Sequence, residues 1–140
     1  MDENRKNFCL RASNRGEGLT GIKASRHVDK AKHNTEFSSY LLKTKFKDWL
    51  ITGSFYVALH YVDAHAAKND VRFEYLPGEE TMHGIRRKYV RKKLRKLFSS
   101  YERLFQESMN ARYDPIYLKK IRYDPEDLFR LALEFGAIDP

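Results

Sequence analysis

A run of basic residues between Arg86 and Lys96 is the densest chemical feature of this sequence. It places eight cations in eleven positions with no acid among them: Arg86, Arg87, Lys88, Arg91, Lys92, Lys93, Arg95 and Lys96. The 140-residue chain has 27 Lys and Arg against 19 Asp and Glu, so this run accounts for its whole net charge of +8. A localised basic stripe is typical of a surface that binds nucleic-acid phosphates. An anionic membrane or an acidic protein partner would fit the same charge.

The run lies on a predicted helix, which decides which cations share a face. With Leu94 on the buried side and about 100° of rotation per residue, Arg87 and Arg91 lie near the buried side, one turn apart. The other six cations point to the sides and back. We therefore predict RNA or nucleotide binding through residues 86–96. The residues we assign to it are Arg86, Arg87, Arg91, Lys92 and Arg95. The alternative is a solvated face that only keeps the protein soluble.

Histidines are the other side chains that could take part in catalysis or ligand binding. His60 lies on the buried side of a predicted helix, which favours a structural, hydrogen-bonded role. His83 lies near the start of the basic helix, three residues before Arg86. A helix N-terminus, an imidazole and a guanidinium together suit a phosphate. A role in capping the helix explains a histidine at this position about as well. His60 and His65 are five residues apart and do not share a face, and no zinc pattern occurs. We therefore predict neither a metal nor another cofactor.

Helical periodicity extends over most of residues 25–140 and predicts an all-α, up-and-down bundle of four to five helices. The predicted helices span about 25–44, with Ser25 as the cap, 46–68, 81–113 and 125–135. The dipeptide Pro77-Gly78 predicts a turn before the third helix. Asp114-Pro115 and Asp124-Pro125 both resemble helix starts, because Asp caps a helix and Pro suits its first position. Residues 1–24 are mostly polar, and this composition predicts a flexible arm.

Bulk properties restrict the compartment and the partners. Cys9 is the single cysteine, so no internal disulfide can form. No stretch approaches the roughly 20 apolar residues of a membrane span, and the N-terminus lacks the apolar core of a signal peptide. We predict a cytoplasmic protein with no membrane partner.

Aromatic side chains could stack on RNA bases, and the surface candidates are Tyr75, Tyr89, Tyr113, Tyr117 and Tyr123.

The second and third predicted helices resemble a known family. The segment GSFYVALHYVDAHAA, then a loop, then a helix that opens with TMHGIR and ends in ARY is similar to the HEPN (higher eukaryotes and prokaryotes nucleotide-binding) domain, over roughly residues 25–135. The resemblance implies a helical bundle that is usually a homodimer and is often found in toxin-antitoxin or defence systems. It also implies RNA or a nucleotide as ligand and an acidic antitoxin as a possible partner.

Active members of that family are metal-independent ribonucleases whose motif is an Arg, four to six residues, and a His. The resemblance makes His83, Arg112 and Tyr117 the catalytic candidates here. Arg112 is followed at the motif spacing by Tyr117 and no His occurs after His83, so the motif is not intact at this place. A literal match occurs at Arg26 and His33, on the first helix. RNA binding is thus the predicted function; the alternatives are a ribonuclease and a module that docks on an acidic partner.

Overall fold

Five α-helices form most of the part of the chain that this computed structural model describes, residues 11–12, 21–72 and 81–138. They are α1 Ala24–Leu41, α2 Lys47–Lys68, α3 Met82–Lys93, α4 Phe98–Tyr113 and α5 Pro125–Glu134, with 3-10 turns at Arg95–Leu97, Tyr117–Lys119 and Phe135–Ala137. The predicted all-α class is confirmed. Two short strands, β1 Arg11–Ala12 and β2 Val71–Arg72, pair antiparallel. Apart from residues 11–12 and 21–24, the predicted arm lies outside the described residues, as do Cys9 and the Pro77-Gly78 turn.

α1 and α2 form an antiparallel hairpin, which is the arrangement that neighbouring helices of an up-and-down bundle have. Ser38 meets Gly53 at one end, and His27 approaches Asp63 at the other. α1 ends at Leu41, before the predicted Thr44, because residues 42–46 make the turn. There Thr44 Oγ1 donates to the Leu41 carbonyl at 2.8 Å. The predicted Ser25 cap is wrong: α1 already begins at Ala24, after an extended Lys23 that makes no side-chain cap bond.

α2 lies at the centre of the fold, and α1, α4 and α5 pack on it. Most of its residues are buried, including Leu50, Ile51, Phe55, Val57, Ala58 and Val62. A helix that is apolar on nearly every side is one that neighbours surround. Phe55 contacts the rings of Tyr101 and Phe105 of α4 edge-on, at centroid distances of 5.7 and 5.6 Å. Asp63 is the buried residue of this helix that carries a charge, and it positions the site described below.

The predicted continuous helix over residues 81–113 is wrong. α3 ends at Lys93, Leu94 adopts φ −129° and ψ 49°, and α4 begins at Phe98 after a 3-10 turn. A straight helix would stack Arg91 under Arg95 and Lys92 under Lys96, and like charges one turn apart destabilise a helix. The break relieves both pairs while Leu94 stays in the core. Thr81 caps α3, with its Oγ1 accepting from the Gly84 amide at 3.1 Å.

The two Asp-Pro pairs differ in their structure. Asp124 caps α5 as predicted, because its Oδ1 accepts a hydrogen bond from the Glu126 amide at 2.9 Å and Pro125 is the first helical residue. Asp114 instead closes a local turn by accepting from the Ile116 amide at 3.1 Å. A single 3-10 turn follows it, so the predicted helix start at Asp114 is wrong.

Replacement of Gly53 by Ala tests the close approach of α1 and α2. A Cβ on residue 53 would lie 2.6 Å from Ser38 Oγ, closer than any real contact. We expect Gly53→Ala to lower the free energy of unfolding by about 1–3 kcal/mol, measured by urea denaturation.

Gly84→Ala is the matched control, since its nearest neighbour, Thr81 Oγ1, would be 3.4 Å away. Ala is the better helix former by about 1 kcal/mol, so this variant should be as stable as the parent or more stable. An equal loss in both variants would contradict close packing at Gly53.

Candidate functional site

Asp63 and Arg86 form a buried ion pair between α2 and α3. Asp63 is 0% exposed and Arg86 9%. Arg86 Nε donates to Asp63 Oδ1 at 2.8 Å, and its Nη2 donates to Oδ2 at 2.9 Å. This two-bond geometry matches the planar guanidinium to the carboxylate. A buried carboxylate without such a partner would be strongly destabilising, so the pair determines where α3 lies on α2.

Two imidazoles adjoin the pair. His27 of α1 is buried, and its Nδ1 lies 4.0 Å from Asp63 Oδ2. His60 lies one turn before Asp63 on α2 and stacks on His27 at a centroid distance of 5.8 Å. Burial is the largest influence on both: it lowers the pKa of His27 and lowers the pKa of His60 to about 4, although Asp63 opposes the change. Both rings are therefore neutral at pH 7.

A third imidazole and a second guanidinium extend the cluster. The half-buried His83 ring lies 5.9 Å from Phe55 and 5.4 Å from Phe105, and burial, followed by Arg86 and Arg112, lowers its pKa. Arg112 Nη1 donates to Tyr56 Oη at 3.0 Å. We call the set His27, Tyr56, His60, Asp63, His83, Arg86 and Arg112 the polar cluster. Its three α2 members follow a spacing of four and three residues, so they share one face of that helix.

Several polar atoms of this region lack a hydrogen-bond partner. Among the described residues, His60 Nδ1, His83 Nδ1 and Tyr101 Oη are buried and unpaired. Buried polar atoms are usually satisfied, so unpaired ones beside an ion pair indicate a place for water or a ligand. The expected hydrogen-bonded role of His60 is thus only partly correct: the ring is half-buried, but its Nδ1 has no partner in the described chain.

The basic run proves to be two different sets of residues. Arg86 is wrong as a nucleic-acid contact, because its guanidinium is buried on Asp63. Arg87 is exposed, but its Nη2 donates to Glu102 Oε2 of α4 at 2.7 Å, and this hydrogen bonding raises its pKa. Lys88 is partly buried, and the other five cations of α3 and the following turn are exposed: Arg91, Lys92, Lys93, Arg95 and Lys96. None of these five forms an ion pair with a described residue.

Two tyrosine predictions are also wrong. Tyr117 is 4% exposed and donates its hydroxyl hydrogen to Glu107, so it offers no hydroxyl to a phosphate. Burial, followed by Glu107, raises its pKa. Tyr89 is fully buried and its hydroxyl is hydrogen-bonded to His65 Nδ1 at 2.6 Å. Tyr113 is exposed as expected, and Tyr75 lies outside the described residues.

The remaining predicted residues lie apart in the fold. Tyr123 is 37% exposed, and the guanidinium of Arg103 lies over its ring at 4.7 Å. Arg26 and His33, the literal match to the family motif, are exposed on α1 and line a shallow depression there. The structure instead brings His27, which no motif singled out, into the polar cluster. The signal available for it was its spacing from Ala31 and Ser38, which places it on the buried side of α1.

A comparison with protein-family models, curated proteins and solved structures finds no match to this chain. Within the residues described, no helix combines the length and apolar character that crossing a membrane requires.

Removal of either partner of the Asp63–Arg86 pair should destabilise the protein strongly. We expect Asp63→Ala and Arg86→Ala each to lower the free energy of unfolding by about 3–5 kcal/mol, because each leaves an unpaired buried charge. The double variant Asp63→Leu/Arg86→Met should recover most of that loss, as measured by chemical denaturation.

The Arg87–Glu102 pair provides the control, since it also joins an arginine to a carboxylate but lies at the surface. Arg87→Ala and Glu102→Ala should each change stability by no more than about 1 kcal/mol. Additive losses in the Asp63 and Arg86 double variant would contradict the pairing.

Proposed function

We propose that this protein binds RNA through the exposed basic segment, which we define as Arg91, Lys92, Lys93, Arg95 and Lys96. The observation that carries the proposal is that these five cations are exposed and have no acidic partner in the described chain. The C-terminal end of α3 offers them only about half a negative charge. A large excess of positive charge therefore remains, and the phosphates of a nucleic acid neutralise such an excess with release of counterions.

The break at Leu94 gives this segment the shape of a patch. Arg91, Lys92 and Lys93 belong to the last turn of α3, whereas Arg95 and Lys96 belong to the 3-10 turn that follows. The turn borders a groove that Leu94 and Leu97 line together with Ala137 and Ile138 near the C-terminus. Cations beside an apolar surface suit a nucleotide, since it has both a charged phosphate and a flat apolar base.

The family resemblance gives this proposal its context. An all-α bundle with a His near the start of α3 and an Arg at the end of α4 is the arrangement from which the resemblance to HEPN domains arises. We propose a HEPN-like protein that acts as a homodimer in the cytoplasm, in a toxin-antitoxin or defence system. Docking of the same segment on an acidic antitoxin is the alternative, and the binding experiment below separates the two.

RNA binding should depend on salt and on the exposed basic segment. We expect Lys92→Glu/Lys93→Glu/Lys96→Glu to weaken binding to single-stranded RNA at least about tenfold. It should also make the slope of log affinity against log salt less steep by about two, since each lost phosphate contact removes roughly 0.7. Fluorescence anisotropy over a salt series measures both quantities.

Lys43→Glu/Lys45→Glu/Lys119→Glu is the matched control, because it changes the net charge equally at three other exposed lysines. It should retain most of the affinity and the original slope. Equal losses in the two triple variants would refute a specific basic patch. A complete lack of RNA binding, with capture of an acidic protein, would favour the docking module.

Ribonuclease activity is the second candidate function, and His83 with Arg112 carries it. His83 is only partly buried and burial lowers its pKa, so the accessible part of its neutral ring can accept the proton of an attacking 2'-hydroxyl. Arg112 has no acidic partner in the described chain. Its bonds to the Ser108 carbonyl, Tyr56 Oη and Met109 Sδ leave two of its five N–H donors for a phosphate. Arg86 is committed to Asp63, and Tyr117 to Glu107, so neither belongs to this set.

Cleavage, if this candidate is correct, should persist in a chelator and need both residues. We expect His83→Ala and Arg112→Ala each to reduce the cleavage rate of a structured RNA by about a hundredfold or more. The exposed His33→Ala should cleave normally, and Tyr117→Phe should retain activity although it loses a buried hydrogen bond. Activity that survives in His83→Ala would exclude this mechanism.

A further inference from the structure

We propose that His27, His60 and Asp63 form a binding site for a divalent transition-metal ion, with zinc as the best fit. The three side chains come from two helices, and each offers one ligand atom within 4.8 Å of the other two. This inference is independent of the proposed function, since it concerns the polar cluster and not the exposed basic segment.

The geometry is close to what a zinc ion requires. Zinc–nitrogen and zinc–oxygen distances of about 2.0–2.1 Å place two ligand atoms of a tetrahedral site about 3.4 Å apart. His27 Nδ1 already lies 4.0 Å from Asp63 Oδ2. The widest separation in the set, at most 4.8 Å, has to close by a little more than an ångström. We expect rotations of the two imidazoles to make that change on binding, with a water as the fourth ligand, since His60 is only partly buried.

The donor set favours zinc and its neighbours over magnesium or calcium. Two imidazole nitrogens and one carboxylate oxygen suit zinc, cobalt and nickel, whereas magnesium and calcium prefer oxygen ligands only. Both imidazoles have the neutral form that binds a metal. His60 Nδ1 is buried without a hydrogen-bond partner among the described residues, and coordination would satisfy it.

Arg86 determines how such a site would work. It uses one lone pair on each oxygen of Asp63, and each oxygen keeps another for a metal. A guanidinium on the outer side of a ligating carboxylate orients that carboxylate. Its positive charge also opposes a second cation nearby. The metal and Arg86 therefore serve the same need, which is to neutralise a fully buried carboxylate.

Metal titration of the full-length, untagged protein tests the site. With Zn²⁺ as the probe, we expect calorimetric binding of one ion per chain and a higher thermal midpoint of unfolding. His60→Asn and His27→Asn should each weaken binding at least about tenfold, since each removes a ligand. His33→Asn, which changes an exposed histidine on α1, should bind as the parent does. Co²⁺ should give the visible absorption of a four-coordinate site, and Mg²⁺ should have no effect.

Arg86→Gln provides a second test that leaves all three proposed ligands in place. This variant leaves Asp63 without its cation, so Zn²⁺ should raise its thermal midpoint by more than it raises that of the parent. A larger rise in the variant supports coordination by Asp63. An equal rise of the thermal midpoint in the parent and in Arg86→Gln would overturn the proposal. Failure of the parent to bind Zn²⁺, or parent-like affinity for Zn²⁺ in His60→Asn, would overturn it as well. Loss of binding in His33→Asn would place the metal elsewhere.

Discussion

The buried carboxylate of Asp63 is the constraint on which the arrangement of this fold depends. α2 is the central helix, and a charge near its C-terminal end has no access to water. Arg86 satisfies that charge, which requires the second turn of α3 to lie within side-chain reach of α2. His27 and His60 then lie beside the pair, where the low polarity of the interior keeps both imidazoles neutral. One acidic side chain thus lies where side chains of three helices meet, and burial keeps the two histidines beside it neutral although Asp63 opposes the change.

The same constraint separates the basic run into two parts with different roles. Arg86 belongs to the interior, and Arg87 closes a surface contact with Glu102 on α4. On either side of the break at Leu94, the five exposed cations Arg91, Lys92, Lys93, Arg95 and Lys96 have no acidic partner in the described chain. The charge excess is therefore concentrated at the far end of α3. An anionic ligand would meet it there and not along the whole helix, as the count of charges first indicated.

Local signals predicted local structure well. The extent of α2, the antiparallel hairpin with α1 and the Asp124 cap of α5 follow from periodicity and capping chemistry, which involve residues a few positions apart. The break at Leu94 was missed because the apolar pattern continues through it. The Asp63–Arg86 pair and the Tyr117–Glu107 bond were missed because their partners come from different elements or from beyond a turn. No spacing rule brings His27 to His60 until α1 is folded onto α2.

A contribution to folding stability does not by itself explain why the residues of the polar cluster are polar. A buried ion pair usually contributes no more than apolar side chains of similar size would, because desolvation offsets the attraction between the charges. Two neutral imidazoles and several unpaired polar atoms add further cost at the same place. α2 has apolar residues on almost every other buried position, so this sequence readily supplies them. Because apolar residues there would be about as stable, we propose that the cluster has a chemical role, with a metal ion at His27, His60 and Asp63 or a phosphate at His83 and Arg112.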